Sequence, residues 1–242
     1  MKNIIKENFS KMSLIVKSEG NNEIKQLEPG VYTGIASAII DLGVQENIMF
    51  GKKQRKVMIV WNIVGETVTV NDEEVQRVIS KEYTMSLGEK STLRKDLEAW
   101  RGRPFTANEL EGFDLTNILN VPCQLQVNQQ EKNGKTFVNI ASIMAIPKGM
   151  KVEKIEDTYF FDTYDYNTWN KYERIPKWIK EKIKKALNIS ETELDMFIAD
   201  YEEQQKEIEG KKEEMKTDEK ITSNIQQNID NEIIVPEDGL PF

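Results

Sequence analysis

The chain has 242 residues, of which 38% are hydrophobic, enough for the core of one ordinary domain with a further segment left over. It contains no histidine and a single cysteine, Cys123, so the sequence excludes a zinc finger, a histidine-dependent catalytic triad and an intrachain disulfide. No stretch approaches the roughly 18 apolar residues of a membrane span, and the N-terminus lacks the apolar run of a secretory signal, so we expect a cytoplasmic protein.

The formal net charge of −8 is unevenly distributed along the chain. Residues 190–242 carry a net charge of −11, whereas residues 1–189 carry a net charge of +3. A mildly basic body followed by an acidic terminus is typical of a nucleic-acid-binding domain with an interaction tail. We divide the chain into an N-terminal arm (1–27), a folded domain (28–151), an aromatic-rich segment with a basic helix (152–189) and an acidic helix with a disordered tail (190–242).

Hydrophobic periodicity predicts five strands and one helix in the folded domain. The strand patterns cover residues 31–40, 56–64, 78–87, 123–127 and 136–146, and a helical pattern covers residues 91–100. Residues 42–54 are predicted to form a loop, the apolar run of the second strand predicts burial on both faces, and Asn133-Gly134 predicts a tight hairpin turn. The order β-β-β-α-β-β is that of a five-stranded OB-fold barrel with a helix between strands 3 and 4, so the predicted fold is mainly β.

Cations lie in both loops that an OB fold uses to bind nucleic acid, the loops that join strands 1 to 2 and strands 4 to 5. The first has Phe50 beside four cations that would neutralise phosphates while the ring stacks on a base: Lys52, Lys53, Arg55 and Lys56. The second has Lys132 and Lys135 around its turn. The alternative is a solvated hairpin with ordinary surface lysines.

Three aromatic residues on the first three strands are further candidates for contact with bases: Tyr32, Trp61 and Tyr83. Trp61 and Tyr83 either stack on bases or face the core. A second basic group surrounds the predicted helix and consists of Arg94, Lys95, Arg101 and Arg103. Its alternative role is structural, with Trp100 and Phe105 in the core and the arginines paired with Glu98, Glu109 and Glu111.

Residues 159–178 hold eight of the 20 aromatic residues of the chain, a density that favours docking on the barrel over a solvated linker. Pro176 is predicted to start a short basic helix that ends at Leu187. Contact between these aromatics and DNA is the alternative, although the nearby Asp157, Asp162 and Asp165 would repel phosphate.

The sequence offers little support for an enzyme. Residues 88–92 and 134–136 resemble parts of a phosphate-binding loop but lack its glycine spacing. The folded domain shows no grouping of carboxylates suited to Mg²⁺, which a nuclease would need. We therefore expect no catalytic residues, no cofactor and no metal site.

The chain ends in an acidic peptide with an apolar tip, Glu237-Asp238-Gly239-Leu240-Pro241-Phe242. A pocket with a basic rim could bind the Phe242 ring, its carboxylate and the acids before it. The peptide resembles the tip Asp-Asp-Asp-Ile-Pro-Phe of bacterial single-stranded-DNA-binding proteins, with Gly239 in place of an acid and Leu240 in place of isoleucine.

The stretch from Ser91 to Phe105, which reads STLRKDLEAWRGRPF, is similar to phage-encoded single-stranded-DNA-binding proteins of Gram-positive hosts. The likeness extends over about residues 28–187, through residues 139–143 and 175–179. The resemblance implies an OB-fold protein of bacteriophage DNA replication, recombination or repair that acts in the host cytoplasm. Such a protein coats single strands with little sequence preference, away from membranes and in some cases as a homo-oligomer. It would recruit replication or recombination proteins through Glu237, Asp238, Leu240, Pro241 and Phe242. The alternative is an adaptor whose main ligand is protein.

Overall fold

A computed structural model describes residues 26–47, 51–70, 73–190 and 192–211 of the chain. The chain divides into two compact units, residues 1–194 and residues 195–242. In the second unit, residues 195–211 are helical and belong to a helix that covers residues 193–211. Most of the predicted N-terminal arm, Phe50 and the C-terminal tip lie outside the described residues.

The first unit is built on a curled antiparallel sheet of five strands that forms a half-barrel. The strands are β1 (Gly30–Asn47), β2 (Lys52–Val70), β3 (Glu73–Thr84), β4 (Pro122–Lys132) and β5 (Lys135–Met144). Their order in the sheet is β3-β2-β1-β4-β5. The end strands β3 and β5 contact each other, and helix α1 (Thr92–Arg101) contacts both. The predicted mainly β fold and the order β-β-β-α-β-β are confirmed.

The connection between β1 and β2 is shorter than the sequence pattern predicts. Asp41 pairs with Val57 and Asn47 pairs with Lys52, so most of the predicted loop 42–54 is strand, and that prediction is wrong. Gly51 has a φ of 58°, a left-handed conformation that favours glycine in a turn. After Val44 the paired residues 45–47 and 52–54 are all polar, so they lack the apolar alternation by which a strand is recognised.

The core lies between the concave side of the sheet and α1. Val57, Ile59 and Trp61 of β2 alternate toward it, and the Trp61 ring lies 5.9 Å from that of Trp100 of α1. Met58, between Val57 and Ile59, faces the other way and is also buried. Burial on both faces of β2, predicted from its apolar run, is therefore confirmed.

The aromatic-rich segment packs against β1. Strand β6 (Tyr159–Phe161) pairs in parallel with Ala38–Ile40, and the buried rings of Phe161 and Tyr172 lie 5.9 Å apart. A 3₁₀ helix (Tyr166–Arg174) follows, and then helix α3 (Lys177–Lys184), which begins directly after Pro176 and contacts β1. Two other short helices precede β4: α2 (Ala107–Glu111) and a 3₁₀ helix (Leu115–Ile118). Within the described ranges, no helix has the length and apolar character needed to cross a membrane.

Candidate nucleic-acid interface

The basic run at the start of β2 is divided between the two faces of the strand. Residues 52–56 pair without interruption with β1, so successive side chains alternate between the two faces. Lys52, Gln54 and Lys56 share one face, and Lys53 and Arg55 share the other. The predicted single group of four cations is therefore wrong, because a strand separates neighbours that a loop could present together.

The face of β2 that carries Lys56 forms one wall of a cleft of about 670 Å³. The other residues that line the cleft come from β2, from β3 and from its connection to α1: Gln54, Glu82, Tyr83, Thr84, Ser86, Gly88, Glu89, Lys90, Ser91 and Thr92. Lys52 lies four residues before Lys56 on the same face, about 13 Å along the strand. It extends the row of cations beyond the cleft.

The polar groups of the cleft leave cationic donors free. Lys56 Nζ donates to Thr84 Oγ1 at 2.9 Å, which leaves two of its three N–H groups for another acceptor. Lys52 and Lys90 are exposed and have no partner in the part of the chain that the structure describes. These three lysines can therefore meet an anion without breaking an ion pair.

Of the two glutamates in the cleft wall, one is neutralised by the fold. Glu82 Oε2 lies 2.6 Å from Nζ of Lys182 on α3. Glu89 is exposed and remains the opposing charge. The lining itself holds two lysines and two glutamates, and positive charge is in excess once the flanking Lys52 and Lys182 are counted with it.

Two of the predicted stacking aromatics are buried. Trp61 is 0% exposed and Tyr83 is 2% exposed, so the core position, one of the two alternatives, is the one observed. The Tyr83 hydroxyl donates to Asp96 Oδ2 at 2.8 Å, and burial together with the Asp96 charge raises the pKa of Tyr83. Tyr32 is partly buried against the core, and its hydroxyl donates to the Glu28 carbonyl at 2.9 Å. Neither Trp61 nor Tyr83 presents an open face to a base.

Arg55 is held in a network of carboxylates on the face away from the cleft. Its Nη2 donates to Asp41 Oδ2 at 2.9 Å and to Asp162 Oδ1 at 2.7 Å. Asp41, 4% exposed, also accepts hydrogen bonds from Thr163. Burial lowers the pKa of Arg55, but the hydrogen bond and charge of Asp41 outweigh it and the pKa is raised. Arg55 therefore joins β1 and β2 to the segment after β6, and its predicted role in phosphate binding is not supported by this geometry.

The arginines around α1 also have carboxylate partners. Arg94 Nε lies 3.0 Å from Glu98 Oε1, and Arg103 Nη2 lies 2.8 Å from Glu109 Oε1. Arg101 pairs with the same Glu109, and its guanidinium lies 4.3 Å from the centre of the Phe105 ring. This is the structural alternative stated for the group. Lys95 is the one member of this basic group that is both exposed and unpaired within the described ranges.

The second basic hairpin lies at the opposite end of β1 from the first. Asn133 and Gly134 have φ angles of 55° and 70°, as the predicted tight turn requires, and Lys132 and Lys135 are exposed beside it. Lys132 is at the end of β4, beyond the pairing of Val127 with Gly30, whereas Lys52 pairs with Asn47 at the other end of β1. Contact of Lys132 and Lys135 with DNA stays a prediction.

Comparison with known proteins assigns no family to the chain. A scan against protein-family models finds no match, and a search of curated proteins finds no relative. The resemblance stated from the residues therefore stands without support from a matched family. Function has to be argued from the geometry of the cleft and the charge of the chain.

Proposed function

We propose that the protein binds single-stranded DNA through an OB-like barrel and has no enzymatic activity. The observation that carries the proposal is the cleft formed by β2, β3 and the start of α1, with Lys56 and Lys90 in its wall, Lys52 beside it and no carboxylate partner for these three lysines among the described residues. These are the strands across which nucleic acid lies in an OB fold. The curled five-stranded sheet, with its helix between β3 and β4, is compatible with such a barrel.

Lys52, Lys56 and Lys90 supply the phosphate contacts in this proposal. Binding gains free energy because each lysine that neutralises a phosphate releases a condensed counterion. Hydroxyl groups of Thr84, Ser86 and other wall residues add hydrogen bonds that do not depend on base sequence. The expected specificity is for the flexible single strand, with little preference among sequences.

The wider role that we propose is protection of single strands during phage replication or recombination in the host cytoplasm, with recruitment of partner proteins. Recruitment is supported by the net charge of −11 on residues 190–242 and by the acidic tip that ends in Phe242. An adaptor whose main ligand is protein would share the tip but would not need the cleft. Deleting Phe242 should abolish capture of replication proteins from a host lysate and leave DNA binding unchanged.

The cleft is tested by the double substitution K52A/K56A, measured by fluorescence anisotropy with a labelled oligo(dT) of about 16 nucleotides. Removal of two phosphate contacts should weaken binding and reduce the slope of log K against log[salt] by about 1.4, or about 0.7 per contact on a single strand. The matched control is K148A/K151A, which removes two exposed lysines that do not line the cleft. The control should retain the wild-type slope.

Three results would contradict the proposal. An unchanged salt slope in folded K52A/K56A protein would show that the phosphates bind elsewhere. Equal affinity for the oligo(dT) and for a duplex of the same length, at the same salt concentration, would exclude a preference for single strands. Absence of DNA binding combined with capture of partners through Phe242 would favour the adaptor.

A further inference from the structure

Single-stranded DNA is bound by aromatic rings as well as by cations, because every base has a face that can stack. Among the described residues that line the cleft, Tyr83 is the one aromatic residue, and it is only 2% exposed. If the proposed function holds, an exposed ring on a neighbouring element would extend the binding surface.

Several exposed aromatic side chains lie elsewhere in the first unit, but two of them can be placed away from the cleft. Tyr164, 60% exposed, contacts Arg55, which is on the opposite face of β2 from Lys56. Phe137, 48% exposed, is on β5 beside the second hairpin, at the opposite end of β1 from Lys52. Neither ring adjoins the lysines of the cleft.

Trp178 on α3 is connected to the cleft by two direct contacts. Its side chain is 43% exposed, and Lys182 Nζ lies 5.5 Å from the centre of its ring. The same Nζ lies 2.6 Å from Oε2 of Glu82, which is part of the cleft wall. Trp178 therefore lies one side chain beyond the rim of the cleft.

Helix α3 holds this ring in place and carries a net positive charge. Ile179 and Ile183 are buried and anchor the helix to the unit, which fixes the side on which Trp178 emerges. The helix contains four lysines and one glutamate. A cation beside an indole ring can bind the phosphate of a nucleotide while the ring stacks on its base.

The acids that argued against DNA contact by this segment are partly neutralised. Asp157 forms two hydrogen bonds with Arg174, at 2.9 and 2.8 Å, and Asp162 is paired with Arg55. Their negative charge therefore repels phosphate less than the sequence suggested.

We propose that Trp178 is a base-stacking residue and that the DNA-binding surface runs from Lys52 and Lys56 across the Glu82–Lys182 ion pair onto α3. The inference rests on the proposed function and adds to it a site on an element outside the barrel. Phosphates contact the lysines of β2 and α3, and a base covers the exposed side of the indole.

The intrinsic fluorescence of the protein gives a direct test. The other three tryptophans, Trp61, Trp100 and Trp169, are 0%, 5% and 6% exposed, so quenching by bound DNA should come from Trp178. The full-length protein is titrated with oligo(dT) of about 16 nucleotides, and affinity is measured separately by anisotropy of a labelled oligo(dT). The variants are W178F, W178A and, as an exposed aromatic control, Y166A.

Wild-type emission should be quenched at saturation, and W178F should lose this quenching while it keeps most of the affinity. W178A should bind roughly 5- to 150-fold more weakly, the loss expected for one stacking ring. Y166A, which removes a ring that is 72% exposed, should bind as the wild type does.

Wild-type affinity in W178A, or wild-type quenching in W178F, would overturn the inference and leave the proposed function intact. If W178A does not fold, the quenching of W178F decides, because phenylalanine preserves the packing of the ring. Failure of the wild-type protein to bind the labelled oligo(dT) would overturn the proposed function, and this inference with it.

Discussion

Two stretches of the chain are rich in cations, yet the fold leaves their charges in different states. At the start of β2, Lys52 and Lys53 are exposed and have no partner within the described ranges. Around α1, Arg94 pairs with Glu98, and Arg101 and Arg103 share Glu109. A high local density of positive charge therefore does not by itself indicate a surface for phosphate. The decisive question is which carboxylates the fold brings within reach.

The partners in the two stretches come from different distances along the chain. Glu98 is four residues from Arg94 on one helix, a spacing that favours an ion pair, and Glu109 is held by the capping box of α2. Arg55 instead finds Asp41 and Asp162, which are 14 and 107 residues away. The ion pairs around α1 could be predicted from their spacing in the sequence. The Arg55 network could not, because its carboxylates become neighbours of Arg55 only in the folded chain.

The largest effect that would test this comparison is expected at Asp41. The substitution D41N keeps the shape of the side chain but replaces one acceptor oxygen by an N–H donor that faces Arg55 and Thr163. We expect a loss of about 2–3 kcal/mol in the free energy of unfolding, because donors around a buried group are left without an acceptor. Urea denaturation at neutral pH measures the loss.

The control for D41N is D165N. Asp165 accepts a hydrogen bond from the Asn167 N–H at the start of a 3₁₀ helix, a position where asparagine serves about equally well. D165N should therefore unfold at nearly the wild-type urea concentration. A wild-type midpoint for D41N as well would show that the Arg55 network does not stabilise the fold.

A smaller effect is expected from the arginines after α1. The Arg101 side chain is 16% exposed and lies against Phe105 and Phe113, whereas Arg103 is 55% exposed. R101A should lose about 1–2 kcal/mol of stability, and R103A should lose less than R101A, because an exposed ion pair contributes little. Thermal unfolding of the two variants gives the difference.

The variants R101A and R103A also test whether the arginines after α1 contact DNA. Since both arginines are already paired with Glu109, neither substitution should change the slope of log K against log[salt] for oligo(dT). A slope reduced by about 0.7 in folded R103A would show that this group contacts phosphate after all.

The order of strands and helix could be predicted because apolar alternation marks each element whose side chains enter the core. Apolar alternation ends at Val44, however, and the polar residues 45–47 and 52–54 pair as strands without it. The turn at Asn133-Gly134 was predictable, because few dipeptides adopt two successive left-handed conformations.

Less of the candidate site could be predicted. Trp61 and Tyr83 contact either bases or the core, depending on which face of their strand is buried. The sequence alone left both alternatives open for these two residues. The place of Trp178 depends on α3 packing against β1 and on the ion pair between Lys182 and Glu82, which are 100 residues apart. The sequence shows Trp178 as an aromatic residue within a basic helix. Its position beside the cleft could be inferred only from the contacts of Lys182 in the folded chain.

The smallest effect is expected at Glu109, and it depends on pH. Hydrogen bonds from Arg103, from the Thr106 N–H and from Arg101 lower the pKa of Glu109 to about 2. Because the folded pKa lies below the unfolded value of about 4.3, the stabilisation is complete above that value and is lost as the pH falls toward 2. E109Q should therefore be less stable than the wild type at about pH 7, and the difference between their urea midpoints should shrink as the pH falls to about 3. E111Q is the matched control, since Glu111 is an exposed acid of the same helix, and its midpoint should follow that of the wild type at every pH. A gap between E109Q and the wild type that stays constant from neutral to acid pH would show that packing of the side chain, rather than its charge, stabilises the cluster of Glu109 with Arg101 and Arg103.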